Sequence, residues 1–220
     1  MSIVINAAQV RFLLAVFTFA VAACPQAANL RAGLELTGTL SGKTPAAYPV
    51  SLAAGDFLHV VVGQTGSDVL VTLKDPEGKT VFVSDSNNGA YGPETVAYVG
   101  PMSGEYRLEV HMPIPAPNSA FSLRVLQLRP AAPNDREMAA AMGHFTAGDR
   151  ARGARTAEGW KTALDEYGQA LPSFVAQGDR YYQALIQLCW GATLAATGQF
   201  RPALDRFQQS SALLGAVGDE

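Results

Sequence analysis

Cysteine is nearly missing from this chain of 220 residues, which has only Cys24 and Cys189. Two thiols so placed give no disulfide framework, so the fold must be held by its own core. Charge is sparse as well, at 16% Asp, Glu, Lys and Arg with a formal net charge of −3. Phosphate binding needs clustered cations, which excludes nucleic acid as a main partner. The arginines Arg129, Arg136, Arg150, Arg152 and Arg155 are interrupted by Asp135, Glu137 and Asp149. They read as a solvated face and connector. The three histidines, His59, His111 and His144, share no metal-ligand spacing. No Ser-His-Asp set, paired-carboxylate signature or glycine-rich phosphate loop occurs, so no catalytic residue, cofactor or metal is assigned. The segment Gly63-Gln64-Thr65-Gly66 reads as a hairpin connection. Asp85-Ser86-Asn87-Asn88-Gly89 alternates oxygen donors as a calcium loop would. It lacks the terminal bidentate carboxylate and reads as a polar turn.

Long apolar runs are also lacking. The run FLLAVFTFAVAA, residues 12–23, has 12 residues, short of the roughly 20 that span a bilayer. One preceding positive charge and the small residues at its end make residues 1–24 a secretory signal. Val21-Ala22-Ala23-Cys24 resembles a bacterial lipobox, which would make Cys24 the lipidation candidate; the alternative is plain cleavage near Ala23. The chain is expected to be exported, as a periplasmic or outer-membrane lipoprotein or as a secreted protein. Membrane contact is expected only through the signal or a lipid anchor. Cys189, inside ALIQLCWGATLAA, reads as a small buried hydrophobe.

What is present falls into a β half and an α half, an α+β multidomain chain. From Leu34 to Leu128 short apolar runs recur: YPVSL, FLHVVV, DVLVTLKD, KTVFVSD, TVAYVG, YRLEVHM and FSLRVLQL. Strict alternation puts Tyr106, Leu108 and Val110 on one face of a strand. Turn signals stand between the runs, among them Asp75-Pro76-Glu77-Gly78 and Asn87-Asn88-Gly89. Seven or eight such strands over residues 33–129 predict an antiparallel β-sandwich of jelly-roll type. Three stretches, Tyr48–Asp56, Leu73–Gly78 and Ser103–Val110, resemble the pre-peptidase C-terminal (PPC) type of sandwich.

The Pro-rich loop Pro113-Ile114-Pro115-Ala116-Pro117 joins the last two strands, and Pro130-Ala131-Ala132-Pro133 marks the domain boundary. After it the period becomes helical over residues 134–220. Asn134 or Asp135 is the expected cap of a first helix, followed by a Gly/Arg-rich connector from Gly148 to Thr156. Then ALDEYGQALPSFVAQGD is repeated as ALDRFQQSSALLGAVGD, with Ala163 and Ala203 40 residues apart. Ala163, Tyr167, Ala170 and Phe174 match Ala203, Phe207, Ser210 and Leu214. Steps of 4, 3 and 4 put each set on one helix face, small and large side chains alternating. The glycine of each closing Gly-Asp stops a helix and the aspartate can cap the next. Gly198 breaks the intervening helix, and Pro202 sits in a first turn. Pro172, inside the first copy, is expected to kink or weaken its helix.

A helix–turn–helix unit of this period resembles the tetratricopeptide (TPR) repeat, on Gly191, Gly198, Phe200, Ala203, Leu204 and Phe207. The chain departs from that pattern at Ser210 and Gln187. About one and a half units precede Glu220 with no polar capping helix, so an incomplete array is expected. The whole order resembles the N-terminal part of bacterial TPR proteins that end in a caspase-like CHAT peptidase domain. The expected function is thus a non-enzymatic, exported scaffold that holds a protein or peptide on its TPR surface. Self-association through the uncapped C-terminal helix is a further expectation. The alternatives are a targeting or regulatory part of a CHAT peptidase, or a sandwich module that binds carbohydrate or calcium.

Overall fold

A computed structural model describes residues 28–114 and 119–218. Cys24 and the leader lie outside the described residues, as do Asp219 and Glu220. Eight strands come first: β1 (Glu35–Leu40), β2 (Ala46–Leu52), β3 (Asp56–Thr65), β4 (Leu70–Lys74), β5 (Thr80–Ser84), β6 (Tyr91–Val99), β7 (Gly104–His111) and β8 (Ser119–Pro130). They form two four-stranded antiparallel sheets, ordered β1-β8-β3-β6 and β2-β7-β4-β5. The result is an antiparallel β-sandwich. Alternation does the folding: Tyr106, Leu108 and Val110 of β7 are all fully buried, whereas Glu105 and Arg107 are exposed.

The pairing of β3 with β6 sets the later chemistry. Val60 pairs with Val96 and Val62 with Glu94, so these four share the face between the sheets. Val61 pairs with Thr95 and His59 with Ala97 on the opposite face. Residues 94–97 are buried without a break, so both faces of β6 are covered. The outer cover is helical, since α1 packs on β6.

Four helices follow: α1 (Pro133–Gly153), α2 (Ala157–Gln177), α3 (Arg180–Ala196) and α4 (Phe200–Gly218). Short loops join α1 to α2 and α3 to α4, and each pair packs together, with α2 also against α3. The described residues thus hold two helix pairs, α1 with α2 and α3 with α4. Phe145, Phe174 and Tyr182 form the aromatic centre, with Phe174 and Tyr182 stacked at 5.1 Å. Buried side chains of sandwich and helices form one continuous cluster.

Several sequence expectations are corrected. Gly148–Gly153 is helical, not connector, because Ala141, Met142, Phe145 and Gly148 are buried in α1. Asp135 and Gly148 are buried while Ala140 is exposed, so the apolar pattern along α1 is weak and hid its second half. Its N-cap is Ala132, with Pro133 in the first turn; Asp135 accepts the Ala132 N–H at 2.7 Å instead of capping directly. Gly63 to Thr65 belong to β3, and only Gly66 is left-handed, at φ 78°. That turn leads into the other sheet, so it is no hairpin. α2 runs unbroken through Pro172, which is exposed, so water can satisfy the carbonyl that its missing N–H would have bonded. Gly178 does end α2 at φ 71°, and Asp179 caps α3 by accepting the Tyr182 N–H at 3.0 Å.

Candidate functional site

The chemistry gathers at the seam between sandwich and helices. Gln64, at the end of β3, holds the seam's turn in place. Its side-chain N–H donates to Asn88 Oδ1 at 2.8 Å and to the Gly89 carbonyl at 2.9 Å. Its Oε1 accepts the Val69 N–H at 2.6 Å. Asn88 Nδ2 then donates to the Pro93 carbonyl at 3.0 Å and to the Tyr181 hydroxyl of α3 at 3.3 Å. Within the turn read from sequence as Asp85 to Gly89, the Asn88 side chain is therefore spent on structure.

Beneath this turn lies Glu94, fully buried between the sheets. Its Oε2 accepts from the Ser84 hydroxyl at 2.7 Å and from the Ser86 N–H at 2.9 Å. Oε1 has no hydrogen-bond partner. Burial drives its carboxyl up to about 7, against the hydrogen bonds from Ser84 and Ser86. On the other face of β6, burial pushes up the phenols of Tyr181 and Tyr182, and the Glu94 charge adds to both.

A cleft of 380 Å³ opens between the β4–β5 end of the sandwich and α1. Asp68, Val83, Asp85 and Asn87 line one side; Thr146, Asp149, Arg150 and Arg152 line the other. Asp68 lies just before β4, and burial raises its carboxyl, helped by the negative charge of Asp85. Burial raises Asp85 too, while nearby His111 opposes the shift.

The α1 wall is a polar knot within a helical core. The Tyr167 hydroxyl donates to Asp149 Oδ1 at 2.6 Å, and Arg152 Nε donates to that hydroxyl at 3.2 Å. Arg152 Nε stands 3.5 Å from Asp149 Oδ1. The Asp149 side chain is only 9% exposed, and Oδ2 has no hydrogen-bond partner. Burial raises its carboxyl against the Tyr167 hydrogen bond and the Arg152 charge. Cys189 lies beside it, buried, its thiol pushed well up by burial and then by Asp149. A thiol so protonated is a poor nucleophile. Arg152 is thus half-buried and held by Asp149 and Tyr167 at the wall of the cleft. Arg129 stays on the solvated face, where it pairs with Asp135 at 2.5 Å.

A second cleft of 410 Å³ adjoins the first, sharing Asn87, Arg152 and Gly153 and adding Arg155, Trp160, Thr193 and Ala196. Arg155, in the α1–α2 loop, has φ 53°, a left-handed conformation rare for a side chain of its size.

Of the residues singled out from sequence, Ala163, Tyr167, Ala170 and Phe174 are fully buried, and Ala203 and Ser210 nearly so. An added Cβ at Gly191 would stand 2.7 Å from Phe207, and one at Gly148 would stand 2.7 Å from Tyr167. Gly198 ends α3 at φ 80°. Phe200 and Leu214 differ from expectation, being 73% and 45% exposed. Phe200 opens α4, and Leu214 lies near its end on the same stripe as Ala203 and Phe207. Asp68, Glu94 and Asp149 escaped the sequence reading. Glu94 left one trace there, an acid in phase with inward Val96 and Tyr98.

Neither a family model nor a curated protein matches the chain. Among solved structures, it is similar to the pre-peptidase C-terminal domain of a Bacillus anthracis collagenase. That likeness has 18% identity and a TM-score of 0.37, over 46% of this chain and 96% of that one. It is also similar to a periplasmic inhibitor of g-type lysozyme from Aeromonas hydrophila, at 15% identity and a TM-score of 0.36, over 45% and 94%. The Salmonella Typhimurium inhibitor gives 17% and 0.31, over 45% and 98%. At such values the chain's chemistry has to be read from its own side chains. No helix among the described residues is long and apolar enough to cross a membrane.

Proposed function

We propose that this chain is a non-enzymatic, exported protein-binding module whose two helix pairs are TPR-type units docked on a PPC-like sandwich. One observation carries the reading. Both pairs use the same joint, a glycine on the first helix receiving an aromatic ring from the second: Gly148 with Tyr167, then Gly191 with Phe207. The repetition supports two copies of one unit, the second 40 residues on at Ala203, Phe207 and Ser210. The first pair has a longer span between its glycine and its ring, which obscures it in the sequence.

In this reading the 410 Å³ cleft, with Trp160, Arg155 and Asn87 on its walls, takes an extended peptide. Residues 1–24 act as the export leader, with Cys24 as a lipid anchor. The bare side of α4, where Phe200 and Leu204 are 73% and 54% exposed, supports self-association.

Selection from a displayed peptide library against the full chain, followed by calorimetric titration of the peptides recovered, tests the proposal. Trp160→Ala and Asn87→Ala should each weaken a selected peptide by about tenfold, the loss of one good contact. Peptides that bind both variants as tightly as the parent chain refute the cleft as the binding surface.

A further inference from the structure

Glu94 ties the turn between β5 and β6 to the interior of the sandwich, and nothing balances its charge. It is fully buried. Its Oε2 accepts from the Ser84 hydroxyl and the Ser86 N–H, where the turn begins, and Oε1 receives nothing. Among the described residues no cation pairs with it. β4 and β5 carry one ionisable side chain, Lys74, which pairs with Glu109. On β3, Asp56 accepts the Ala53 N–H and His59 pairs with Ala97 on the opposite face. On α1, which covers β6 from outside, Asp149 is held by Arg152, Asp135 by Arg129 and His144 by Glu166. The ionisable groups that do act on Glu94 are Asp85, whose negative charge adds to the burden, and the phenols of Tyr181 and Tyr182. Ionising such a carboxyl in place is costly.

The same turn grips the helices. The Asn88 side chain accepts from Gln64 and donates to the Pro93 carbonyl and to the Tyr181 hydroxyl of α3. Gly92, just beyond the turn, lies so close that a Cβ there would stand 2.7 Å from that hydroxyl. Asn87 forms part of the wall of both clefts.

We propose that residues 85–90 form a proton-controlled latch between sandwich and α3, closed while Glu94 is protonated and opened locally when Glu94 ionises. Opening admits water to the carboxylate and withdraws Asn88 from Tyr181 and Asn87 from the cleft walls. It returns the carboxyl from about 7 toward its ordinary 4.5. The latch is therefore tightest in acid, loosens as pH rises through that interval, and changes no further above it. The open fraction grows by about tenfold per pH unit within the interval. The device acts on the 410 Å³ cleft whether or not a peptide occupies it.

Amide exchange of the full chain, resolved by residue with nuclear magnetic resonance from pH 5 to 8, tests this. Hydroxide-catalysed exchange and opening multiply, so the Ser86 amide should speed up by about a hundredfold per unit below pH 6.5 and about tenfold above 7. In Glu94→Gln it should speed up by about tenfold per unit throughout. Ser84→Ala, which removes a donor that favours the charged form, should move the break to higher pH. Asp85→Asn should keep the steep rise, and Asn88→Ala should raise the Ser86 rate at every pH. A wild-type rise no steeper than that of Glu94→Gln overturns the proposal. So does loss of the steep rise in Asp85→Asn, or indifference to Asn88→Ala. A Ser86 amide that exchanges as slowly as the amides of the central strand β3 also overturns it, since the opening is then global unfolding.

Discussion

Replacing Glu94 by glutamine should make the protein more stable at neutral pH and flatten its pH dependence. The carboxyl lies fully buried between the sheets, and burial carries it from an ordinary 4.5 to about 7. Between those values the folded chain keeps a proton that the unfolded chain has lost. Unfolding then releases a proton, so stability falls as pH rises from 4.5 to 7 and levels off above. At about 1.4 kcal/mol per pH unit, the total is about 3 kcal/mol. Glutamine keeps an oxygen to accept from Ser84 and Ser86 and carries no charge to bury.

Other groups titrate in the same range, so the test is a difference between two proteins. Burial lowers His59, which makes stability rise with pH, opposite in sign to Glu94. Asp68, Asp85 and Asp149 are raised and act in the same direction as Glu94. All remain in Glu94→Gln and cancel. Urea unfolding followed by far-ultraviolet circular dichroism, at fixed ionic strength and at pH 4.5, 6 and 8, gives the comparison. The two proteins should be alike at pH 4.5, and the variant more stable by up to about 3 kcal/mol at pH 8. Parallel curves, or a variant less stable at pH 8, would refute a buried carboxyl titrating near neutrality.

Gly191→Ala should destabilise by about 1–3 kcal/mol through overpacking, since its Cβ would stand 2.7 Å from Phe207 and 3.1 Å from the Ala203 carbonyl. Gly143→Ala, with open space around it, should instead gain up to about 1 kcal/mol from helix propensity, and thermal unfolding distinguishes the two. Asp179→Ala removes the cap on the Tyr182 N–H, costs about 1 kcal/mol, and should speed hydrogen exchange at that amide.

Strands and turns were legible because their signals are local. Alternation in β7, the glycine stop at Gly178 and the cap at Asp179 each follow from a few adjacent residues. α1 was only half legible. Its buried face includes the polar Asp135 and the bare Gly148, and its exposed face includes Ala140, so the apolar period is blurred. The seam was illegible for a different reason. Asp68 and Asp149 lie far apart in sequence and line one cleft only when the β4–β5 end and α1 pack together. Glu94 is buried only when the two sheets close over it. Asp149 and Arg152, three residues apart in a charged stretch, look from sequence like a surface pair. What buries them is Tyr167, a neighbour supplied by the next helix.

The seam also explains why the boundary at Pro130–Pro133 does not separate two independent bodies. An antiparallel sheet commonly leaves one face to water, but here Phe57, Thr95 and Ala97 on the outward face of the β3–β6 pair are buried. Helices cover that face, and Phe145, Phe174 and Tyr182 extend the core beyond it. Apolar contact supplies the attachment, while the polar groups trapped at the edge supply its weakness: Asp68 and Asp149, which line the cleft there, each keep a buried oxygen without a donor. A carboxyl in that position is costly when charged and harmless when protonated or paired. Protonation of Asp68 or Asp149 therefore relieves a cost at the join between sandwich and helices, while protonation of Glu94 relieves one between the sheets.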